Sequence, residues 1–523
     1  MSQRLLQLTA SLKPRGDITA GAGEDVIEVS APASTAAKVY EKLRTTIDYQ
    51  EEHLLRRNAI LRIINRYLGS DIPLDKMSEN LLKELVWAGY LPNHSVPVKF
   101  AHDLRPIFDK YDSLFRAAEE LHGKKEEAHQ WILDVMSSEL EYAISPPVGD
   151  EALASYMYEE MKSRMTWEES INLKADQKDL LLYIAIHKTL LKSNRATLRF
   201  RVLTLYYPDW PGASSNERVQ EISSNLNNII RTIEKQITHP VVLKLEVLLS
   251  RRAGLFRTLR DVILYKPEEF PALLNDPREM DLAVRRELKK RTSKFRVRLR
   301  RTVIRAVLFL FITKMFLALI LEIPYDLIFV GQVAVIPLGI NIIFHPLFLA
   351  FLSLTVQIPE RKNTDDYRDA IRALIVGADH DIVNLHMKRD HFGTWSKIFY
   401  FIYSIVFLFV YGVIGVLLSN FGFNIFSIAL FLFFMSLVTF FGVRIRGSTK
   451  DIVVSGSRSS LIGSLFDVFM LPVVRAGRWM SVKVAKINVF IYFFDFIIEA
   501  PFKVAVNFVE GWLAFVREKK EEI

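Results

Sequence analysis

Four apolar runs, each about as long as a lipid bilayer's hydrocarbon core is thick, lie in the second half of this chain, and no other feature restricts its fold as strongly. They are Val303 to Ile323, Leu327 to Val356, Ile398 to Leu418 and Phe423 to Val443. The first holds 21 residues. At ~1.5 Å of rise per residue it spans ~32 Å, one hydrocarbon core. Lipid offers no partner to backbone N–H and C=O groups, so each run is predicted to be a helix. Pro337 and Pro346 break the second run, which predicts a kinked span or a half-helix followed by a span.

The charges between the runs set an orientation. Eleven Lys or Arg and a single acid, Glu287, lie from Arg285 to Arg305, directly before the first run. Pro324 to Asp326 carries no Lys or Arg. The connection from Pro359 to Ser396 carries Arg361, Lys362, Arg368, Arg372, Lys388 and Arg389. Ser419 to Asn424 carries none, and Arg444, Arg446 and Lys450 follow the fourth run. Basic and non-basic connections alternate, so a multi-pass protein of the cell (inner) membrane is predicted, with both termini and the middle loop in the cytoplasm. A basic run would also suit nucleic acid. Its position against a span favours anionic lipid head groups instead, and no nucleic-acid partner is expected. The net charge of +9 is concentrated in this run.

Ahead of the spans the residues are mixed and charged, with apolar positions at helical spacing. Helices are predicted over 37–69, 78–87, 103–121, 125–142, 150–166, 176–192, 214–238, 241–264 and 271–290. Ser78 is expected to cap the second of these and Gly89 to stop it, while a serine caps the helix over 214–238 and Pro240 stops it. Only Thr197 to Tyr207 has a β-like composition. The fold class is therefore all-α: a soluble helical N-terminal region, then a polytopic helical membrane domain, then amphipathic C-terminal helices. The expected division is a flexible tail over 1–37, a cytoplasmic helical domain over 38–300, a membrane domain over 301–446 with a cytoplasmic loop at 359–396, and an interfacial segment over 447–523. Met1 to Gly23 has no continuous apolar core, so it does not read as a secretory signal. The chain has no cysteine, which excludes disulfides and thiolate chemistry. Nucleotide loops, zinc-protease and serine-hydrolase motifs are missing from the sequence, so neither an enzyme nor a cofactor is expected.

In the last segment Asn488, Tyr492, Asp495, Glu499, Lys503, Asn507, Glu510, Ala514 and Arg517 recur in steps of four and three. They trace a narrow polar stripe on an otherwise apolar cylinder, which predicts a helix lying in the membrane interface. Leu461 to Val474 reads as another interfacial piece, with Arg475, Arg478, Lys483 and Lys486 placed for lipid head groups.

Lys314 falls at the centre of the first span, where insertion costs roughly 2.5–3.5 kcal/mol. Glu322 shares its face, Asp326 follows at the outer end, and His345 precedes Pro346 in the second span. An ion or proton path would use these four residues. The structural alternative has Lys314 paired or snorkelling, Glu322 and Asp326 at the outer surface, and His345 bonded to a carbonyl. In the middle loop Asp379, His386 and Asp390 fall on one helical face, a weak metal-site pattern; a solvated amphipathic helix is favoured there. His187, on an apolar helix face, is expected to be a satisfied core or surface residue rather than a ligand. The functional expectation is a non-enzymatic membrane-anchored scaffold or assembly factor whose helices bind protein partners. The alternative is an ion- or proton-coupled transporter or channel.

Overall fold

The computed structural model describes residues 3–12, 24–29, 41, 52–68, 73–121, 123–168, 171–212, 215–354, 356, 361–376, 383–385, 393–447 and 471–480. The fold is all-α. The described residues form two compact units, one built from those up to Phe270 together with Val383–Leu385, the other from those between Pro271 and residue 480 apart from that segment.

The first unit packs the helices Gln3–Ser11, Glu52–Leu68, Leu74–Trp87, Lys99–Glu119, Lys125–Ile144, Val148–Arg164, Ala175–Leu190, Arg195–Tyr206, Asn216–Ser224, Leu226–Ile237 and Pro240–Tyr265. Trp131, Trp210, Tyr111, Phe108 and Phe256 are fully buried among Leu and Ile side chains. Gly89 ends its helix as expected: its N–H reaches Val86 O at 3.1 Å while Tyr90 N–H reaches Leu85 O at 2.9 Å, which satisfies carbonyls of the last turn.

Four local expectations need correction. Ser78 does not cap a helix; the helix begins a turn earlier after Pro73, and Ser78 is buried within it. The β-like stretch Thr197 to Tyr207 is helical. Asn194 caps it by accepting the Thr197 N–H at 2.9 Å, and Leu198, Phe200, Val202 and Leu203 are buried, so packing overrides the propensity of its Thr, Val and Phe. The single helix expected over 214–238 is two, broken at Asn225 and capped by Ser215. Pro240 does not merely stop that helix but occupies the first turn of the next one, where its missing N–H costs nothing.

A buried polar network pins the 207–212 turn to two helices. Lys110 donates to Glu139 Oε1 at 2.6 Å, to Gly212 O at 2.9 Å and to Trp210 O. Tyr111 donates to Glu139 Oε2 at 2.7 Å and accepts from Trp210 Nε1 at 3.1 Å. Gly212 N–H completes the carboxylate shell at 2.8 Å. Every charge here is met by partners, the condition under which a buried pair is tolerated. The strand Met165–Trp167 pairs in parallel with Val383–Leu385, aligning Met165 with Val383 and Trp167 with Leu385. Three residues per strand give too little alternation for sequence to reveal.

The second unit is dominated by one long helix. Asp276 caps it through the Arg278 and Glu279 N–H groups, Pro277 opens it, and it runs over Pro277–Leu317. It continues through Ala318–Glu322, Ile323–Tyr325 and Asp326–Val330, reaching 54 residues in all. The separate helix expected at 271–290 and the first span are therefore one element. The first span also takes the residues Leu327 to Val330 that were expected in the second, which is shorter, Val335–Leu354. Arg361–Val376, Gly393–Asn420, Ile425–Gly447 and a helical turn sequence over 471–480 follow. Gly331 and Gly422 supply the left-handed backbone at the two short turns, with φ of 81° and 82°. The second span packs on the first and the fourth, and the third packs on the fourth.

Candidate functional site

The second unit is inverted relative to a water-soluble protein. Leu308, Phe316, Ile320, Phe351, Phe401 and Leu408 are exposed, while Lys314, Glu322, Asp326, Asn341, His345, Ser436 and Thr439 are buried. A soluble monomer does not expose so continuous an apolar surface. Lipid is the solvent that suits it, because a polar group there must turn inward to find a partner.

The inward polar groups form one connected cluster. Lys314 Nζ donates to Asn341 Oδ1 at 2.7 Å and sits 4.0 Å from the centre of the Phe434 ring. The Asn341 side-chain amide donates in turn to Glu322 Oε1. Asn341 thus stands between cation and carboxylate, and Lys314 and Glu322 form no direct ion pair among the described residues. His345 lies one turn after Asn341. Its Nδ1 is 3.0 Å from Asn341 O and its Nε2 is 3.0 Å from Phe431 O on the fourth span. Phe344, Phe431 and Phe434 pack around the imidazole.

Backbone geometry aligns these groups. At ~100° per residue, eight residues would leave Glu322 ~80° around the helix from Lys314. Ala318–Glu322 instead forms a wider turn, its end marked by Ile323 N–H bonding to Ala318 O. Such i→i+5 turns take roughly 4.4 residues rather than 3.6, which removes most of that offset. Pro324 lacks an N–H, so the helix cannot keep its regular ladder here. A second wide turn, Asp326–Val330, closes with Gly331 N–H on Asp326 O at 2.8 Å.

Asp326 is buried, unlike a residue at an outer surface, and does not join Lys314. Its Oδ2 accepts the Ala334 N–H at 3.2 Å and its Oδ1 accepts the Asn424 amide at 2.6 Å. Asn424 also caps the fourth span through the Ser427 N–H at 2.8 Å. Asp326 therefore ties the turn between the first two spans to the turn between the last two. Tyr411 and Ser436 share a hydrogen bond of 2.5 Å between the third and fourth spans.

Three of the four candidate path residues thus meet through Asn341, and the fourth makes a separate link. Asn341, Asn424 and Phe434 were missed in the sequence. An amide four residues before His345 in an otherwise apolar run was the available signal for Asn341. The polar stripe Asn488, Asp495, Glu499, Lys503, Asn507, Glu510 and Arg517, and the metal-site candidates Asp379, His386 and Asp390, lie outside the described residues.

Among the described residues four helices are long and apolar enough to cross a membrane: Pro277–Val330, Val335–Leu354, Phe401–Asn420 and Ile425–Val443. Fold and site together define the class, a helical membrane-associated protein with a polar cluster at its apolar core. No family model, curated protein or solved structure matches the chain.

Proposed function

We propose that this chain is a non-enzymatic membrane-anchored scaffold. Its four spans hold it in the cell (inner) membrane, and its N-terminal helices recruit protein partners at the cytoplasmic surface. The observation that carries the reading is the state of the polar cluster. Lys314, Glu322, Asp326 and His345 are between 0% and 3% exposed, and each ends on a protein partner. A buried network satisfied in this way fixes the register of packed helices. In this role Lys314, Asn341 and Glu322 clasp the first span to the second, His345 joins the second to the fourth, and Asp326 with Asn424 locks the two turns. The basic run before the first span suits anionic lipid head groups, and the alternation of basic connections supports a cytoplasmic side for both termini.

A second reading, an ion- or proton-coupled transporter using Lys314, Glu322 and His345, draws on the two wide turns beside Glu322 and Asp326. Such turns are frequent at functional sites. Both ring nitrogens of His345 also face carbonyl oxygens, and only a doubly protonated ring donates to both. Reconstitution of the full chain in liposomes with pH- and potassium-sensitive dyes separates the readings. The scaffold predicts flux no greater than that of empty liposomes. A flux that disappears in Lys314→Ala and Glu322→Ala would replace it with the transporter.

A further inference from the structure

A cavity of about 50 Å³ lies within the first unit, beside the helices Glu52–Leu68, Lys125–Ile144 and Arg195–Tyr206. It belongs to none of the features used so far. At roughly 10–15 Å³ of such volume per water, it has room for a small polyatomic ion or a few waters, and not for a nucleotide.

Two arginine side chains of its wall each carry one N–H that lacks an acceptor. Arg57 and Arg201 line it, at 6% and 7% exposure. The Nε of each is buried without a partner. Arg57 makes only long contacts through Nη1, 3.4 Å to Asp134 and 3.3 Å to Ser137, besides a bond to Asn58. Arg201 spends Nη1 on Glu151. Burial lowers the pKa of both guanidinium groups, that of Arg201 to about 10. Ser145 and Ser193 also line the cavity, and neither hydroxyl has a bond to another described residue.

Two carboxylates share the wall, Glu141 and Asp150, and both are already matched from outside it. Arg56 grips Glu141 with two bonds of 2.8 Å, and Arg260 reaches Asp150 at 3.2 Å. Glu141 and Asp150 therefore leave the Nε–H groups of Arg57 and Arg201 without an acceptor. A group that presents several acceptor oxygens and negative charge in a small volume fits what is left, and arginine recognises tetrahedral oxyanions well.

We propose that this cavity binds a small tetrahedral oxyanion of the phosphate class, held by Arg57 and Arg201 and oriented by the hydroxyls of Ser145 and Ser193. Binding would couple anion concentration to the stability of the helical unit, because a ligand bound only to the folded state stabilises it.

Calorimetric titration of the detergent-solubilised full chain with sodium phosphate, against sodium chloride at matched ionic strength, tests this. Saturable binding at one site per chain is expected. Ser193→Ala should weaken it several-fold and Arg201→Gln at least about tenfold, as loss of one charge-assisted bond implies. Near-ultraviolet circular dichroism checks the fold of each variant. Should Arg201→Gln fail to fold, the milder Ser193→Ala decides alone. Absence of saturable phosphate binding by the wild type at millimolar concentrations overturns the proposal. So does binding that both folded variants keep unchanged, or that Ser193→Ala keeps when Arg201→Gln does not fold. Acetate binding as tightly as phosphate would overturn the tetrahedral assignment.

Discussion

His187 makes the stability of the helical unit sensitive to mild acid. The side chain is buried, its Nδ1 has no partner, and the Tyr183 ring lies 4.2 Å away. Burial pulls its pKa from 6.5 down to about 3. The folded state therefore holds the neutral ring, whereas the unfolded chain takes a proton below its ordinary pKa. Stability from this residue is complete above about pH 6.5 and declines as pH falls from there toward 3. Each pKa unit is worth about 1.36 kcal/mol, so His187 alone removes about 2 kcal/mol at about pH 5. Other groups titrate in the same interval, so the informative quantity is the difference from His187→Leu, which cannot take the proton. Urea unfolding of the full chain in detergent, followed by tryptophan fluorescence from the buried Trp131 and Trp210, measures it. Between neutral pH and about pH 5 the wild type should lose about 2 kcal/mol more than the variant. Near neutral pH the variant should match or exceed the wild type, since it deletes an unmatched buried polar atom. Equal losses in the two proteins would refute the argument.

Three further outcomes are expected. Glu139→Leu should cost about 3–5 kcal/mol by stranding the Lys110 ammonium, and adding Lys110→Met should restore much of the loss; a double variant as unstable as the single one would contradict this. Gly477→Ala should destabilise the membrane unit by about 1–3 kcal/mol in a detergent thermal melt, because the new methyl meets the Ser436 backbone carbonyl, which cannot yield; an unchanged melt would mean the helix over 471–480 does not pack there. The chain contains no cysteine, so single cysteines report topology cleanly: in intact cells an impermeant maleimide should label Gln332→Cys and leave Lys362→Cys unlabelled, and the reverse pattern would invert the orientation.

Much of the fold was legible in the sequence because helical periodicity and apolar run length are local properties. The existence of most helices in the first unit, the all-α class and the four membrane-length apolar runs could be read in this way. Boundaries were less legible. Thr197 to Tyr207 looked β-like because its propensities ignore the neighbours that bury its apolar side chains. The run Leu327 to Val356 looked unbroken because Gly331 turns the chain without any charge to mark the turn. For the candidate site, Lys314, Glu322 and His345 stood out as ionisable groups in lipid-length runs. Their meeting point did not, because Asn341 is uncharged and the alignment depends on a wide turn that residue spacing does not reveal.

The 54-residue helix has a consequence for how the positive charge before the first span is used. From Arg285 to Arg305 the axis advances ~30 Å, while the field of a charged lipid surface fades within ~8 Å at physiological salt. In the proposed arrangement, with the helix near the membrane normal, only the last one or two turns of that run can feel head groups. The far end finds its counter-charge within the protein. Arg285 bonds Asp365 at 2.7 Å, Arg286 and Lys290 flank Glu287, and Arg368 approaches Asp281. One stretch of similar residues thus serves two electrostatic environments. Raising the salt concentration should loosen the lipid-facing end, with the partly shielded Glu287 contacts persisting longest.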